Sequence, residues 1–544
     1  MKNLVLNERN ICDLELLLNG AFTPLDGFMK KIRYESVLLN MRIETGELWP
    51  LPITLAISSD FKDSIKHDKQ IILVDSTNLP LAKLDIEDIF KPDLKKECKY
   101  AYGSDDTNHP YVNIILNQNN IYYIGGKVTK INDPLHYDFK DIRLTPNQTK
   151  EYFNKNGWKT IVGFQTRNPM HRSHYELTKY AMKIASEETN SEAKLLLHPV
   201  VGITQECDVD YYTRVKCYKK LINNYENNSA ILSLLPLSMR MAGPREALFH
   251  ALIRQNYGCT HFVVGRDHAG PSYKNKNGES FYGPYDAHKL LEEYKDELKI
   301  KIIKSKMIVY VKEINKYVPI DEVPENMTVL NISGTEQREM LNKGKKIPEW
   351  FSFPNVINEL QKSYIAPNQK GLCVYFVGLS GCGKSTIANV LKSKLLEICN
   401  KQITILDGDI IRQHLSKGLT FSKEDRSTNI RRIGYVASEI VKHNGIVLCA
   451  NIAPFEDDRK YNRELISKYG HYLEIFVDTP LNICEKRDVK GLYKLARSGI
   501  IKKFTGVSDP FETPTESNLI VNGEESIDKI LDKIINLLKK INYL

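Results

Sequence analysis

LCVYFVGLSGCGKST, residues 372–386, decides how the C-terminal third of the chain folds. Leu372 to Val377 is an unbroken apolar run of strand length, and Thr386 to Ile398 has helical periodicity. Between them GLSGCGKST, Gly378 to Thr386, fits the G-x-x-x-x-G-K-[ST] pattern in its strand–loop–helix context. The glycines let backbone N–H groups curl around phosphate oxygens, and the helix N-terminus adds a favourable dipole. Lys384 then supplies a point charge to terminal phosphates, and the Ser385 hydroxyl is placed to ligate Mg²⁺. The expected nucleotide cradle is Gly378, Leu379, Ser380, Gly381, Cys382, Gly383, Lys384, Ser385 and Thr386.

Outward from this loop the alternation continues. ITILDGD (403–409), GIVLCA (445–450) and YLEIFVD (472–478) read as further strands of an α/β domain over 371–544. Residues 362–370 read as a linker. Before it, over 146–361, WKTIVGF (158–164), KLLLHPVVG (194–202), AILSLLPLS (230–238) and HFVVG (261–265) alternate with helical stretches at 171–185 and 244–255. This pattern is a second parallel sheet, whose ligands belong beyond the strands' carboxyl ends. Over 1–145 helical periodicity is weak. LWPLPITLAIS (48–58), KQIILVDS (69–76) and NIYYIGGKVTKI (120–131) give a β-rich domain.

Composition bounds the function. With 544 residues, three or four domains are expected at roughly 150 residues each. The net charge is 76 − 67 = +9, with both signs mixed throughout, so no nucleic-acid partner is expected. No apolar run approaches the ~18 residues that cross a bilayer, and the N-terminus lacks a signal-peptide core. Ten cysteines form no CxxC pair, which points to buried thiols in a reducing cytoplasm.

Around the phosphate loop, Asp407 and Asp409 end a strand and are suited to hold Mg²⁺ or orient an acceptor hydroxyl. Arg412, Arg426, Arg431 and Arg432 follow, and arginine captures phosphate or sulfate oxygens bidentately. KRDVKGLYKLAR (486–497) adds cations on a glycine-bearing loop. GLSGCGKST, LDGDIIR, FSKEDRSTNIRRIGYVA, NIAPFEDDR, VDTPLNICEKRDVKGLYKLAR and FTGVSDPFE together resemble adenylylsulfate (APS) kinase over 371–544. The resemblance implies a P-loop kinase domain that transfers phosphate from ATP to the ribose 3′-hydroxyl of APS, giving PAPS. It implies that Asp407, Arg412, Arg426, Asn429 and Lys490 hold APS, with Phe421 and Phe504 flanking its adenine. Lys384 and Asp409 take the catalytic roles, Ser385 and Asp409 meeting Mg²⁺. Where many relatives have Ser, this chain has Ala453, which excludes a phosphoserine there.

QTRNPMHRSH, residues 165–174, follows the strand at 158–164. Pro169 is expected near a helix start, with His171 and His174 on one face of the first turn. SMRMAGPREALFHA (238–251) brings Arg240 and Arg245, and VVGRDHAGPS (263–272) brings Arg266, Asp267 and His268, to the same sheet edge. These segments, with ISGTEQREMLNKGKKIPEWFSFP (332–354) and GAFTPLDGFM (20–29), are similar to ATP sulfurylase (sulfate adenylyltransferase).

That resemblance implies an N-terminal PUA-like β domain and a Rossmann-like nucleotidylyltransferase domain, in which sulfate attacks the α-phosphorus of ATP and pyrophosphate leaves. Gln165, Arg167 and the Ala269 backbone would hold sulfate. Thr166, Arg167 and Asn168 would steady the reacting phosphate, and His171 and His174 the transition state. Gln165, Arg167, Asn168, Gly265, Arg266, Asp267, His268 and Ile308 would contact ATP. A zinc knot of some bacterial relatives is not expected, because no cysteine lies between Cys259 and Cys373. The whole is thus expected to be a multidomain α/β enzyme of sulfate assimilation, a homo-oligomer with a dimer favoured. Rival readings make the C-terminal domain a nucleotide-sensing regulator, run the first reaction toward ATP, or give the PUA-like domain an RNA partner.

Overall fold

The structure is a computed structural model. It describes residues 1–544 apart from Glu206, Cys207, Asn227, Gly344, Ser363, Tyr364, Ala366, Asn400 and Val489, and apart from the side chains of Thr335, Asn342 and Pro367. Three positions of the expected linker and one of the ten cysteines therefore lie outside the described residues. The chain divides into two compact units, Met1–Gln337 with Ile347–Ser363 and Arg338–Lys346 with Tyr364–Leu544. Among the described residues no helix is long and apolar enough to cross a membrane.

The first unit opens with a seven-stranded mixed sheet. Its hub is the strand Ile121–Lys130, which pairs antiparallel with Gly27–Phe28, Leu55–Ser58, Pro80–Asp85 and Asp88–Phe90. Gly126 permits that crowding: a Cβ there, at φ +152°, would stand 1.9 Å from the Asp85 carbonyl oxygen. Of the strand expected at 48–58 only Leu55–Ser58 forms. The domain is also more helical than its sequence suggests, with Glu8–Leu18, Lys31–Asn40, Leu94–Tyr102 and Pro110–Leu116 packed about the sheet. Their buried faces are short, so periodicity over a longer window misses them.

A five-stranded parallel sheet follows, ordered Ala230–Leu232, Ala193–Leu197, Thr160–Phe164, His261–Val264, Lys301–Lys304. The chain leaves Thr160–Phe164 toward one side and returns on the other at His261–Val264. The loops after these two neighbouring strands diverge and open a crevice at this switch point. The helix Arg172–Thr189 presents Thr178, Ala181 and Ala185 to the sheet, small enough for close approach. Both domains of this unit share one continuous apolar core, from Leu14 and Trp49 to Phe249 and Phe262.

The second unit is built on five parallel strands, ordered Ile403–Asp407, Ile446–Ala450, Leu372–Val377, His471–Asp478, Leu519–Asn522. Alternation along the central strand supplies two cores. Leu372, Val374 and Phe376 pack with Ile387, Leu391 and Leu395 of the helix Lys384–Ile398. Cys373, Tyr375 and Val377 pack with Ile433, Ala437 and Val441 of the helix Lys423–Lys442. A strand buried on both faces is apolar throughout, which is why it reads as a continuous run.

Candidate active sites

In the second unit the phosphate loop leaves the carboxyl end of the central strand. Gly378, Gly381 and Gly383 hold φ of +151°, +74° and +112°. At Gly378 an added Cβ would lie 2.7 Å from the Val477 carbonyl oxygen and 2.8 Å from Cys382 Sγ, so only glycine fits. The helix begins at Lys384, two residues before its expected start.

This loop forms one wall of a cavity of about 780 Å³. The opposite walls carry Asp407, Asp409, Arg412, Phe421, Arg426, Asn429, Lys490 and Phe504. Every residue assigned to APS from the sequence thus lines one space with the phosphate loop. Gly378 and Leu379 stand behind it, their carbonyls accepting from Lys384 Nζ at 2.9 and 2.7 Å.

The cavity's cations are restrained by protein partners. Arg426 donates to Thr505 Oγ1 at 2.8 Å and pairs with Asp509. Lys490 pairs with Asp409. The Arg412 guanidinium lies 4.2 Å from the centroid of the Phe421 ring, and burial lowers its pKa. Asp407 caps the short helix Gly408–Gln413 through the Asp409 amide, and its other oxygen accepts from Ser385 Oγ at 2.5 Å. Buried Asn429 Oδ1, Arg426 Nε and Asn451 Oδ1 have no protein partner, which leaves unused hydrogen-bonding capacity in this wall.

In the first unit the two loops at the switch point carry the expected chemistry. In the loop after Thr160–Phe164, Thr166 Oγ1 accepts from the Asn168 amide at 3.1 Å and donates to its carbonyl at 2.9 Å, closing a tight turn. Arg167 reaches across to the other loop. One Nη approaches Gly270 O at 3.5 Å and Ser272 Oγ at 3.4 Å, and the other lies 3.6 Å from Asp208. Gln165 Oε1 is buried without a protein partner.

The helix begins at Arg172, so Pro169 precedes it by three residues and His171 is its N-cap. His174 Nδ1 accepts from the His171 amide at 3.3 Å, and His171 Nδ1 lies 3.1 Å from Ser352 Oγ. Burial pulls the His171 pKa down to about 3, helped by His174, and the His174 pKa down to about 4. Both rings are therefore neutral at physiological pH.

After His261–Val264, Asp267 and Ala269 hold φ of +55° and +57°. Alanine in this region is strained, and such strain concentrates where a loop is shaped for a ligand. Arg266 is exposed and bonds Asp267, whereas His268 turns inward to His250. Asp267, His268 and Gly270 line a second cavity, of about 150 Å³, with Tyr282. Ile308 starts a strand of a separate three-stranded antiparallel sheet.

Residues 1–133 match the PUA-like domain model, residues 140–363 the ATP-sulfurylase model and residues 370–522 the adenylylsulphate kinase model. The chain is 46% identical to the sulfate adenylyltransferase of Chaetomium globosum over 540 residues, 98% of this chain and 93% of that one. The chain belongs to the sulfate adenylyltransferase family. The Gibberella zeae sulfate adenylyltransferase matches at the same identity and coverage. Among solved structures, the hexameric APS kinase from Thiobacillus denitrificans superposes with a TM-score of 0.80 at 30% identity, covering 100% of this chain and 94% of that one.

Four arginines that the sequence singled out are engaged away from these sites: Arg240 and Arg245, expected only at the sheet edge, and Arg431 and Arg432, offered to anions. Arg240 is buried and makes a bidentate pair with Asp13 at 2.7 and 2.9 Å. Arg245 donates to the carbonyls of Val37, Leu38 and Pro50. Both tie the PUA-like domain to the nucleotidyltransferase sheet. Arg431 bonds Asp458 at 2.8 Å, and Arg432 the Leu415 carbonyl at 3.3 Å. Conversely, Asn451, Thr505 and Asp509 belong to the kinase-like site or its supports, although sequence reading gave them no role. They sit in NIAPFEDDR and FTGVSDPFE, so the signal lay in polar residues of segments already singled out.

Proposed function

We propose that this sulfate adenylyltransferase carries out both steps of sulfate activation. ATP and sulfate give APS and pyrophosphate in the first unit; ATP and APS give PAPS and ADP in the second. The observation that carries the two-step reading is the single cavity of about 780 Å³ uniting the phosphate loop with Arg412, Arg426, Asn429, Lys490, Phe421 and Phe504.

In the first step a sulfate oxygen forms the bond to the α-phosphorus and the bond to the pyrophosphate oxygen breaks. Sulfate is already an anion, so no proton needs removal; the site must instead overcome repulsion between anions. Arg167 is the cation at the crevice, and the Ala269 backbone and Gln165 complete the sulfate site. Thr166 and Asn168 steady the phosphate oxygens. His171, buried, and His174, half-buried, are both neutral and offer N–H donors to charge that grows on the departing pyrophosphate. Arg266, Asp267, His268 and Gly265 take the nucleotide, with Ile308 toward its adenine.

In the second step Lys384 exchanges its carbonyl partners for ATP phosphates. Arg426, Arg412, Asn429 and Lys490 hold APS with its 3′-hydroxyl directed at Asp409. The oxygen-only pair Ser385 and Asp407 suits a hard cation, and Asp409 stands nearby in the same wall. Mg²⁺ bound there would neutralise charge on the β- and γ-phosphates.

A second reading, a nucleotide-sensing C-terminal domain, is favoured by the names of both fungal relatives, which mention the first activity alone. The deciding assay supplies radiolabelled sulfate, ATP, Mg²⁺ and pyrophosphatase. Label in PAPS supports two catalytic sites; label stopping at APS, even when APS is supplied directly, makes the second unit a regulator. We further propose a homo-oligomer, dimer favoured, for which light scattering gives the mass.

A further inference from the structure

Behind the nucleotide loop of the first unit two buried groups with no role in the scheme above, Glu246 and His250, form a row with the half-buried His268 of that loop. Glu246 and His250 are four apart on the helix Gly243–Asn256 and so share one face. The Glu246 carboxylate accepts from the amides of Arg240 and Ala242, both at 2.9 Å. Burial acts to raise its pKa, but the His250 ring and these amides hold it below the usual range. His250 Nε2 stands 3.4 Å from Glu246 Oε1, and His250 Nδ1 stands 3.1 Å from His268 Nε2. His268 reaches the cavity of about 150 Å³ beside Asp267 and Gly270.

Tautomer logic runs along this row in one direction. His250 Nε2 makes no hydrogen bond, so at 3.4 Å the Glu246 carboxylate acts on it through charge, which favours the proton on the nitrogen that faces it, Nε2. Its Nδ1 is then a lone pair, and the 3.1 Å contact requires His268 Nε2 to donate. A neutral imidazole has only one N–H, so His268 Nδ1 is an acceptor. Burial keeps both rings neutral, assisted by Arg254 and Arg240 around His250, and by His250, Arg254, His288 and Arg167 around His268.

We propose that Glu246 and His250 are positioning residues that lock His268 in its Nε2–H tautomer, so that it meets the nucleotide as a hydrogen-bond acceptor. The ligand group it selects is a donor, a ribose hydroxyl or an amine, and a phosphate oxygen is repelled. The proposal rests on the reading that the Arg266–His268 loop binds ATP. It separates the anion-binding duty of Arg167 from the nucleotide-orienting duty of His268 in one crevice.

Neutron diffraction from deuterated wild-type crystals tests the tautomer without any substitution. Deuterium at Nε2 of both rings is expected; a deuteron on His268 Nδ1 overturns the proposal. Kinetics test its purpose. His250→Leu removes the acceptor and should raise the KM for ATP about tenfold while kcat stays within about twofold, as loss of uniform binding does. His250→Asn, whose Oδ1 replaces the ring Nδ1, should restore most of that loss. In His250→Leu/His268→Ala the KM should equal that of His268→Ala alone, whereas a merely structural effect of His250 would add to it. Equal KM values for His250→Leu and His250→Asn overturn the relay. An unchanged KM for ATP in His268→Ala instead overturns the underlying reading of the loop, and the neutron result distinguishes the two failures.

Discussion

The two sites solve the problem of holding anions in opposite ways. In the second unit the cations line an open cavity and are held by carboxylates, Lys490 by Asp409 and Arg426 by Asp509. In the first, Arg167 is the cation at the crevice that bridges the two loops, while Arg240 and Arg245 are bound into the structure and the nearby histidines are neutral. One site is poised by exchangeable ion pairs, the other by burial and shaped backbone. Cation-rich sites bind strongly before any chemistry; neutral donors gain most when charge develops, which places their effect on the rate.

The largest effects should be reciprocal. Lys384→Ala should lower PAPS formation by about 10³-fold and leave APS formation within about twofold, because removal of one preorganised charge at a transferring phosphoryl group costs about 10²–10³ in rate. Arg167→Ala should do the reverse, abolishing pyrophosphate release from ATP and sulfate to a similar extent while supplied APS is still phosphorylated. Coupled-enzyme assays of each half-reaction read both. Loss of both activities in either variant would break the comparison, since the two sites would then not be separable.

Next is a stability effect confined to the first unit. An ordinary imidazole titrates near 6.5, and burial holds His174 down to about 4. As pH falls the unfolded chain takes up the proton first, so the contribution is complete above 6.5 and is lost progressively toward 4. Each histidine so buried steepens acid destabilisation by about 1.4 kcal/mol per pH unit. His174→Asn should therefore regain about 2 kcal/mol relative to wild type between pH 7 and 5, read as a flatter pH dependence of the first unit's thermal midpoint. An unchanged slope would mean that His174 is not held neutral.

The same contrast governs how much was legible. The kinase-like site is assembled from short segments, the phosphate loop, residues 407–412, residues 421–429 and the stretches around Lys490 and Phe504, each carrying its chemistry within a few residues, and all the residues assigned to APS line one cavity. In the first unit long-range partners decide what the arginines at the sheet edge do. Arg240 is taken by Asp13, 227 residues away, and Arg245 finds carbonyls 195 to 208 residues distant. No window of sequence carries that information. The edge strands Lys301–Lys304 and Leu519–Asn522 were missed for a different reason: four residues are too few to establish a period.

A smaller change probes the ion pairs themselves. Asp509→Asn keeps the shape but removes the charge that holds Arg426. It should raise the KM for APS about tenfold, in keeping with the roughly 1.5–3 kcal/mol of a hydrogen bond to a charged group, with kcat less affected and APS formation untouched. A lower KM would show that Asp509 competes with APS for Arg426 and acts as a stand-in, not a support.

The smallest expected effect concerns adenine. In the second unit Phe421 is 57% exposed and lies beneath Arg412, with Phe504 on the same cavity. In the first unit the expected adenine contact is aliphatic, Ile308. An exposed cation–π contact contributes about 0.5–1 kcal/mol, so Phe421→Ala should raise the KM for APS only about two- to fivefold. Phe421→Leu separates the contributions: it keeps apolar area but loses the π-face. A leucine variant like wild type would make the kinase-like site as tolerant as the expected aliphatic contact of the first. A leucine variant as impaired as alanine would mean that the ring is used for its face, holding Arg412 toward the phosphosulfate end of APS while stacking on the base. Only the second outcome preserves the contrast between a site held by exchangeable cations and one held by shape.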